Sequence, residues 1–404
     1  MGKALDMYRE IASPGTVDMI ERLADPLRGR SLLHVNSTRV GGGVAEILDR
    51  LVGLFADVGL KPRWEVLKGN EDFFNVTKAF HNALQGQNQL LTDDMRETYT
   101  SCVRANGDEL DLEADAVVIH DPQPAGLVER RQPEIPWIWR CHIDLSRPHR
   151  DFWKFLRSYI IQYDVALFSL AKFARRLPLP QLLLLPAIDP LSDKNIELPE
   201  EEVRDRVTKM GVPLDRPIVL QVSRFDRFKD PVGVIQAFRL VRRDVACRLV
   251  LAGGTADDDP ESAAVLEEVQ EAVQGDPDIL VLVLPPTAHR DINALQRAAS
   301  VVIQKSTREG FGLTVTEAMW KGKPVVGGQV GGITNQILYG RTGYLVNSVE
   351  GAAFRLRTLI ENPALAAQMG REGKEHVRRN FLITRNLRDY LALLSWLWAP
   401  RAKG

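Results

Sequence analysis

The chain has 404 residues, of which 45% are hydrophobic and 26% charged, and its formal net charge is -1. It lacks the excess of positive charge that nucleic-acid-binding proteins and proteins of anionic membrane surfaces carry, so both partner classes are excluded. The length exceeds what one hydrophobic core usually organises, and we therefore expect two domains with the working site in a cleft between them.

Residue usage also argues against a membrane anchor and a metal site. The first ten residues carry charges but no apolar signal-peptide core, and no uninterrupted apolar stretch reaches the length of a membrane span. Cys102, Cys141 and Cys247 form no C-x-x-C pair, which disfavours disulfides and structural zinc and favours a reducing cytoplasm. The seven histidines show no close pair at metal-ligand spacing. We expect no bound metal and no tightly bound cofactor, while stimulation by added Mg²⁺ stays open.

Apolar runs alternate with helix-like segments through the N-terminal half. Residues 31–35 form a short apolar run that leads into Gly41, Gly42 and Gly43, and residues 45–58 then carry apolar residues at helical spacing. This order predicts a strand, a glycine loop and a helix. Further buried strands are predicted at residues 116–120, 137–142, 165–169 and 182–185, and a helix at residues 152–159.

A second series of the same kind fills the C-terminal half. Its strands are predicted at residues 218–222, 248–252, 279–284, 301–304 and 324–327, and a final helix at residues 384–398. Strands that alternate with helices are typical of parallel sheets, so the fold class is α/β with two doubly wound Rossmann-like domains. The Pro- and Asp-rich stretch 186–199 is the linker region. We place the domains at residues 1–205, joined by the C-terminal segment 384–404, and at residues 206–383.

The most informative motif is R-E-G-F-G-L-T-V-T-E-A-M at residues 308–319. It follows a predicted strand, and its glycine turn opens a helix, so the backbone N–H groups of Phe311, Gly312 and Leu313 should point outward at a positive helix end. Such an end binds phosphate. Glu317 lies in the first turns of that helix and leans back toward the N-terminus, where its expected partners are sugar hydroxyls.

A cationic motif, S-R-F-D-R-F-K-D at residues 223–230, follows the first strand of the second series. Ligands of open α/β sheets bind at the carboxyl ends of the strands, which is where Arg224 and Lys229 fall. The planar guanidinium of Arg224 can hold two phosphate oxygens, and Lys229 adds a compact charge. With the helix end they would hold a diphosphate and stabilise the charge it gains as a leaving group.

Glu309 and Glu317, preceded by Arg224 and Lys229, resemble the donor site of the retaining GT-B glycosyltransferases, a family that includes glycogen and sucrose synthases. Four N-terminal segments are more specific: F-F-N-V-T-K at residues 73–78, F-H-N-A-L-Q-G at 80–86, H-D-P-Q-P at 120–124 and W-R-C-H-I-D at 139–144. They resemble the glycosyltransferring trehalose synthases and the related trehalose phosphorylases. The resemblance spans nearly the whole chain and implies two Rossmann-like domains that face an interdomain cleft.

For the second domain, the resemblance implies a donor site. Arg224 and Lys229 would bind the donor diphosphate, and Glu317 the donor ribose. Glu309 would hydrogen-bond the transferred glucose. The turn formed by Phe311, Gly312 and Leu313 would complete the donor site.

For the first domain, the resemblance implies contacts with the sugars. Gly42 and Gly43 would let their loop approach donor and acceptor closely, which a side chain with a Cβ would prevent. His142 would lie beside the transferred glucose. Asp121, Gln123 and Asn82 would bind the acceptor. The catalytic set implied across both domains is Arg224, Lys229, Glu309, His142 and Asp121.

Several of these features also have a purely structural interpretation. The glycines at 41–43 could form an ordinary tight turn, and they lack the third spaced glycine of a dinucleotide fingerprint, which disfavours a nicotinamide enzyme. The charged side chains of the donor motifs could be solvated surface charges. His120 and His142 could be partly buried structural histidines. The glycine-rich loop at residues 327–332 could border the donor or form a flexible turn.

The leading hypothesis is a retaining glucosyltransferase that joins the glucose of a nucleoside diphosphate glucose to free glucose and reversibly forms α,α-trehalose. Its partners would be sugars and nucleotide sugars, and a homodimer stays open. The rivals are a trehalose phosphorylase that uses inorganic phosphate, another retaining hexosyltransferase and a non-catalytic sugar-nucleotide sensor. Glu317 favours the nucleotide enzyme over the phosphorylase, because a ribose partner needs a nucleotide. Glu309, His142 and Asp121 argue against the sensor.

Overall fold

The computed structural model describes residues 3–39, 43–254 and 260–399 and divides the chain into two compact units. Unit 1 runs to Ala187 and resumes at Ile383, and unit 2 spans Ile188–Leu382. The chain therefore changes unit before residue 205, the expected end of the first domain. Residues of the linker region are hydrogen-bonded within unit 2, where the Asn293 amide donates to the carbonyls of Asp193 and Ile196 at 2.9 and 2.8 Å.

Unit 1 is built on a six-stranded parallel sheet in the order β2-β1-β3-β4-β5-β6. The strands are β1 (Ser31–Asn36), β2 (Lys61–Val66), β3 (Ala116–His120), β4 (Trp137–Cys141), β5 (Val165–Phe168) and β6 (Gln181–Leu183). Its first helices are α1 (Lys3–Asp6), α2 (Thr16–Ala24), α3 (Gly43–Asp57), α4 (Glu71–Leu84), α5 (Asp93–Glu109) and α6 (Arg150–Ile160). β3 and β4 are buried along their whole length, which is why apolar residues predominate in A-V-V-I-H and W-I-W-R-C.

Unit 2 repeats this architecture with the strand order β12-β11-β10-β7-β8-β9, again parallel throughout. Its strands are β7 (Ile218–Val222), β8 (Arg248–Gly253), β9 (Ile279–Val283), β10 (Val301–Gln304), β11 (Val325–Gly328) and β12 (Gly343–Val346). Its helices are α7 (Glu200–Lys209), α8 (Pro231–Arg242), α9 (Pro260–Val273), α10 (His289–Ala298), α11 (Leu313–Trp320), α12 (Ile333–Gln336), α13 (Val349–Glu361) and α14 (Pro363–Asn380). The predicted α/β fold with two doubly wound sheets is confirmed.

The last helix, α15 (Ile383–Trp398), returns the chain to unit 1 and packs against α2 and α3. Both of its ends are fixed by side-chain hydrogen bonds. The amide of Asn386 donates to the carbonyl of Leu185 at 2.9 Å, and the indole N–H of Trp398 donates to the carbonyl of Asp115 at 3.0 Å. Among the described residues, no helix has the length and apolar character needed to cross a membrane.

The strands at the sheet edges differ most from the sequence analysis. β2 and β12 were not predicted, because K-P-R-W-E-V and G-Y-L-V lack a long apolar run and lie at edges, where one side of the strand stays unpaired. The buried strand expected at residues 182–185 is wrong in its burial. β6 forms the other edge of the first sheet, and Leu182 and Leu183 are 41% and 56% exposed, whereas Leu184 is buried.

The carboxyl ends of neighbouring strands bring the motifs of each unit together. In unit 1, His120 of β3 is in register with Arg140 of β4, so the segments that follow these two strands start side by side. In unit 2, β10 lies between β7 and β11, so the segments after these three strands share one edge of the sheet.

Candidate active site

Lys229 and Glu309 meet at the carboxyl edge of the sheet in unit 2. Lys229 ends the turn after β7, and Glu309 follows β10. The ammonium Nζ of Lys229 lies 2.6 Å from Oε2 of Glu309. The Ser306 hydroxyl donates to the same carboxylate oxygen at 3.3 Å, while the Gln221 amide donates to the backbone carbonyl of Lys229 at 2.8 Å. The structure therefore brings together the cation predicted for the diphosphate and the carboxylate predicted for the transferred sugar.

The N-terminus of α11 follows directly after Glu309. Gly312 precedes the helix at a φ of 85°, a left-handed conformation that glycine adopts without strain. Among the described residues, no acceptor takes the backbone N–H groups of Phe311, Gly312 or Leu313. These are the three groups expected to face phosphate, and an open helix end of this kind favours an anion.

The glycine-rich loop after β11 packs on the same turn. A Cβ at Gly331 would lie 1.5 Å from the carbonyl oxygen of Glu309, and one at Gly332 would lie 2.4 Å from the Cα of Phe311. The Gly332 N–H donates to the Gly310 carbonyl at 3.1 Å. These glycines therefore permit a backbone contact that holds the turn of the motif in place, which the sequence alone left open.

Glu317 lies within α11 and is only 2% exposed. Its Oε1 lies 3.9 Å from Nζ of Lys194, while its Oε2 is buried without a hydrogen-bond partner among the described residues. A buried carboxylate oxygen without a donor costs free energy, so a ligand hydroxyl that donates to it would relieve that cost. The structural alternative of a solvated helix carboxylate does not fit this burial.

Lys321, one helical turn after Glu317, is a charged group that the sequence analysis missed. Its ammonium is buried and donates to Oδ1 of Asn195 at 2.9 Å and to the carbonyl of Glu317 at 3.3 Å. Burial lowers the pKa of Lys321 to about 7, and the charge of Glu317 opposes that shift. Nothing in the sequence indicates this burial, because a lysine near a helix C-terminus is usually a solvated charge.

Arg224 lies apart from the Lys229–Glu309 pair. Its side chain is 64% exposed, and its guanidinium lies 3.7 Å from Asp226, a residue of the same loop. The long side chain is therefore free of the tight contact that fixes Lys229, and the structure does not join these two predicted diphosphate ligands directly.

Asp121 and His142 are the sequence-predicted residues that the structure brings together in unit 1. Asp121 directly follows β3 with a φ of 65°, and its carboxylate accepts a hydrogen bond from the backbone N–H of His142 at 2.6 Å. Its carbonyl accepts from the indole N–H of Trp139 at 3.0 Å. Burial raises the pKa of Asp121 to about 6, against the lowering effect of the hydrogen bond from His142.

His142 is the end of a row of three histidines that the sequence analysis did not detect. Nδ1 of His34 lies 3.0 Å from Nε2 of His120, and Nδ1 of His120 lies 3.0 Å from Nε2 of His142. His34 lies within β1, His120 is the last residue of β3, and His142 directly follows β4. These three strands are consecutive in the sheet. Burial lowers the pKa of each imidazole, that of His34 to about 3. Sequence spacing could not reveal the row, because it forms only when the strands align.

The remaining predicted residues of unit 1 are Gln123, Asn82, Gly42 and Gly43. Gln123 follows Asp121 in the turn after β3, and its Oε1 is buried without a partner among the described residues. Asn82 lies in the last turn of α4, whose Ala83 carbonyl accepts from the backbone N–H of His149 at 2.9 Å. Gly43 begins α3, whereas Gly42 lies outside the described residues.

Within the described ranges, no group of three or more His, Cys, Asp or Glu side chains has the geometry to hold a metal ion. The three histidines of the row bond to one another through their ring nitrogens rather than converging on one point.

Two family models match this chain in succession. The model described as "Trehalose synthase, N-terminal domain" matches residues 34–175, and "Glycosyl transferases group 1" matches residues 204–376. A trehalose synthase of Thermococcus litoralis is 47% identical over 98% of this chain and 97% of its own length. A trehalose phosphorylase of Grifola frondosa is 30% identical over 86% of this chain, which spans about half of that longer protein, 54%.

The fold is also found in solved structures of low sequence identity. An E. coli trehalose-6-phosphate structure bound with UDP-2-fluoro glucose is 14% identical and superposes with a TM-score of 0.72, covering 90% of this chain and 98% of the other. At that identity the likeness concerns the fold, and it agrees with the two doubly wound sheets described above.

Proposed function

The chain belongs to the trehalose synthase family of GT-B glycosyltransferases, and from this premise we propose that it transfers glucose from a nucleoside diphosphate glucose to glucose, forming α,α-trehalose with retention. The observation that carries the proposal is the Lys229–Glu309 pair, 2.6 Å apart, beside the open N-terminus of α11. A cation and unpaired N–H groups suit a diphosphate, and an adjacent carboxylate suits the hydroxyls of the sugar attached to it.

In the proposed reaction, the bond from C1 of the donor glucose to the diphosphate breaks, and a bond from C1 to an acceptor hydroxyl oxygen forms on the same face. The departing phosphate oxygen takes the proton of that hydroxyl. Lys229, Arg224 and the end of α11 would stabilise the charge that gathers on the diphosphate. The protein's contribution is then positioning and electrostatics rather than a covalent intermediate.

The burial of Glu317 supports a nucleotide as the carrier. Its unpaired Oε2 could accept a hydrogen bond from a ribose hydroxyl, which inorganic phosphate would not supply. The Thermococcus litoralis protein named trehalose synthase also matches this chain almost end to end, whereas the Grifola frondosa phosphorylase is matched over half its length. Both observations favour the synthase over the phosphorylase.

The sugar-binding roles in unit 1 rest on two polar groups for which the described ranges offer no hydrogen-bond partner. Oε1 of Gln123 is buried without a donor, and Nδ1 of His142 makes no hydrogen bond with the described residues. We assign His142 to the transferred glucose, and Gln123, Asn82 and Asp121 to the acceptor side. Because Asp121 already accepts from the His142 backbone, its contribution would include holding His142 in place.

A coupled assay tests the proposal. The protein is incubated with glucose and, in separate reactions, with ADP-, UDP-, GDP- and TDP-glucose, and both released nucleoside diphosphate and non-reducing disaccharide are measured. The synthase is expected to release them in equal amounts with at least one donor. A parallel reaction of trehalose with inorganic phosphate serves as the control, because glucose 1-phosphate formed there would identify the phosphorylase.

A further inference from the structure

The row formed by His34, His120 and His142 links the core of unit 1 to a residue assigned to the substrate. His34 and His120 are 0% and 2% exposed, whereas His142 is only partly buried. The neighbouring rings are 5.3 Å apart between centroids in both contacts. The two buried members therefore cannot touch a substrate, and any effect they have on one must pass through His142.

The far end of the row is enclosed by aromatic rings. The His34 ring stacks on Phe55 at 5.7 Å and 29°, and it meets Tyr390 of α15 edge to face at 6.0 Å and 82°. Nε2 of His34 is buried and has no hydrogen-bond partner in the described part of the chain. Neither ring offers a carboxylate that would hold a proton on His34, so this end of the row favours a neutral imidazole.

The charges around the row favour the same state. The guanidinium of Arg140 on β4 is buried and donates to Oγ of Ser169 and to the carbonyl of Leu184 at 3.2 and 2.6 Å. Burial is the larger cause that lowers the pKa of His120 and His142, and the positive charge of Arg140 lowers both pKa values further. The carboxylate of Asp121 accepts a hydrogen bond from the backbone N–H of His142 rather than from its ring.

In a row of neutral imidazoles, all hydrogen bonds between the rings must run in the same direction, from donor to acceptor. Each ring has one N–H and one lone pair, so a ring that donates through one nitrogen must accept through the other. The hydrogen bond at Nε2 of His142 therefore determines whether its Nδ1, which has no partner among the described residues, is a donor or an acceptor.

We propose that His34 and His120 are positioning residues that fix the ring orientation and the tautomer of His142, so that its Nδ1 is presented to a sugar hydroxyl in one defined state. This rests on the proposed function for the identity of the sugar, but the orientation of the ring does not depend on it. When a second residue fixes the orientation of a substrate-binding side chain, the reaction is faster because that side chain needs less reorganisation as the substrate binds.

A double-mutant cycle tests whether the two residues act through His142. His120→Leu and His34→Leu are each expected to lower kcat about ten- to hundredfold while the KM for glucose changes little. In a His142→Ala background, the same changes should lower kcat by less than about twofold, because the group they position is gone. Equal losses in both backgrounds would overturn the proposal, as would an unchanged kcat in the single variants.

Two further variants separate positioning from folding. His34→Asn can restore a hydrogen bond near the place of Nδ1 and should regain most of the kcat lost in His34→Leu. Phe55→Leu is the packing control, since it removes a buried ring that stacks on His34 but leaves the row intact. It should lower the unfolding free energy without the loss in kcat. If Phe55→Leu lowers kcat as much as His34→Leu does, the row has no positioning role.

The ring itself can be observed without substrate. In protein labelled with ¹⁵N-histidine, the Nδ1 and Nε2 signals of His142 should report a single neutral tautomer from pH 6 to 8, and His120→Leu should change that tautomer balance. Signals that do not change would overturn the proposal. Failure of the unaltered protein to make trehalose would refute the proposed function instead, and these ring signals would still decide the positioning role.

Discussion

Nζ of Lys229 lies 2.6 Å from Oε2 of Glu309, and the two side chains are 19% and 10% exposed. One side chain follows β7 and the other β10, so the pair joins two neighbouring strands where they end. Without a ligand each charge neutralises the other. A bound sugar diphosphate would offer phosphate oxygens to the cation and hydroxyls to the carboxylate, so the same pair would contribute to binding both parts of the donor.

Lys229→Ala should lower kcat about thirty- to a thousandfold, because the loss of a preorganised charge that stabilises a leaving group costs ~2–4 kcal/mol of barrier. Arg224→Ala is expected to act in the same direction. Arg227→Ala is the matched control, since Arg227 lies in the same turn but is 60% exposed and pairs with Glu268. Steady-state kinetics with the donor varied provide the measurement. A Lys229→Ala enzyme with the kcat of the parent and only a raised KM for glucose would contradict the diphosphate assignment.

Glu317→Ala and Glu309→Ala should separate nucleotide binding from sugar transfer. Glu317 is assigned to the ribose, so its loss should weaken the affinity for the free nucleoside diphosphate. Glu309 is assigned to the hexose, so its loss should leave that affinity largely intact while kcat falls. Isothermal titration calorimetry measures the affinity of each variant for the nucleoside diphosphate directly. If both variants bind it as tightly as the parent, Glu317 is a structural carboxylate.

Asp121→Asn should stabilise the fold at neutral pH and lose that advantage in acid. Burial raises the pKa of Asp121 to about 6, above its ordinary 3.8, so the folded state binds this proton more tightly than the unfolded state. The ionised carboxylate therefore costs stability above about pH 6, and the cost disappears as the pH falls toward 4. Asparagine keeps an acceptor for the His142 N–H and tolerates a positive φ.

Urea unfolding of both proteins at pH 7 and pH 4 measures this difference. The asparagine variant should be more stable by ~1–3 kcal/mol at pH 7 and equal to the parent at pH 4. A variant that is less stable at pH 7 would show that the charge of Asp121 stabilises the turn after β3.

Lys321→Met should make the unfolding free energy depend less on pH in the alkaline range. The folded-state pKa of Lys321, about 7, lies below its ordinary 10.5, so the unfolded state binds more protons between these values. The unfolding free energy of the parent should therefore rise with pH from about 7 toward 10 relative to that of the methionine variant. Lys209→Met is the control, because that lysine is 74% exposed and should leave the slope unchanged. Parallel curves for the parent and Lys321→Met would contradict the prediction.

The sequence predicted the central strands of both sheets well, because parallel strands covered on both faces are mostly apolar, as in A-V-V-I at residues 116–119 of β3. It also predicted the glycine turn before α11, since the φ of 85° at Gly312 is one that other residues rarely adopt. Both features are encoded locally, within a few consecutive residues.

Features that depend on the alignment of distant segments were not predicted. The row of His34, His120 and His142 needs three strands in register, and nothing in the spacing of the three residues indicates it. The buried state of Lys321 depends on Asn195, which is far away in the sequence and belongs to the linker region. The linker region itself is held to unit 2 by hydrogen bonds from Asn293, which lies about a hundred residues further along the chain.

A proton NMR spectrum of the product formed from glucose and the donor that the coupled assay identifies tests trehalose synthesis most directly. We predict one non-reducing disaccharide whose two anomeric protons are equivalent and both α, released together with free nucleoside diphosphate. The α configuration of the donor would then be retained, and both sugars would be joined through their anomeric carbons. A reducing disaccharide, or a β-anomeric signal in the product, would contradict the assignment of trehalose synthesis to this chain.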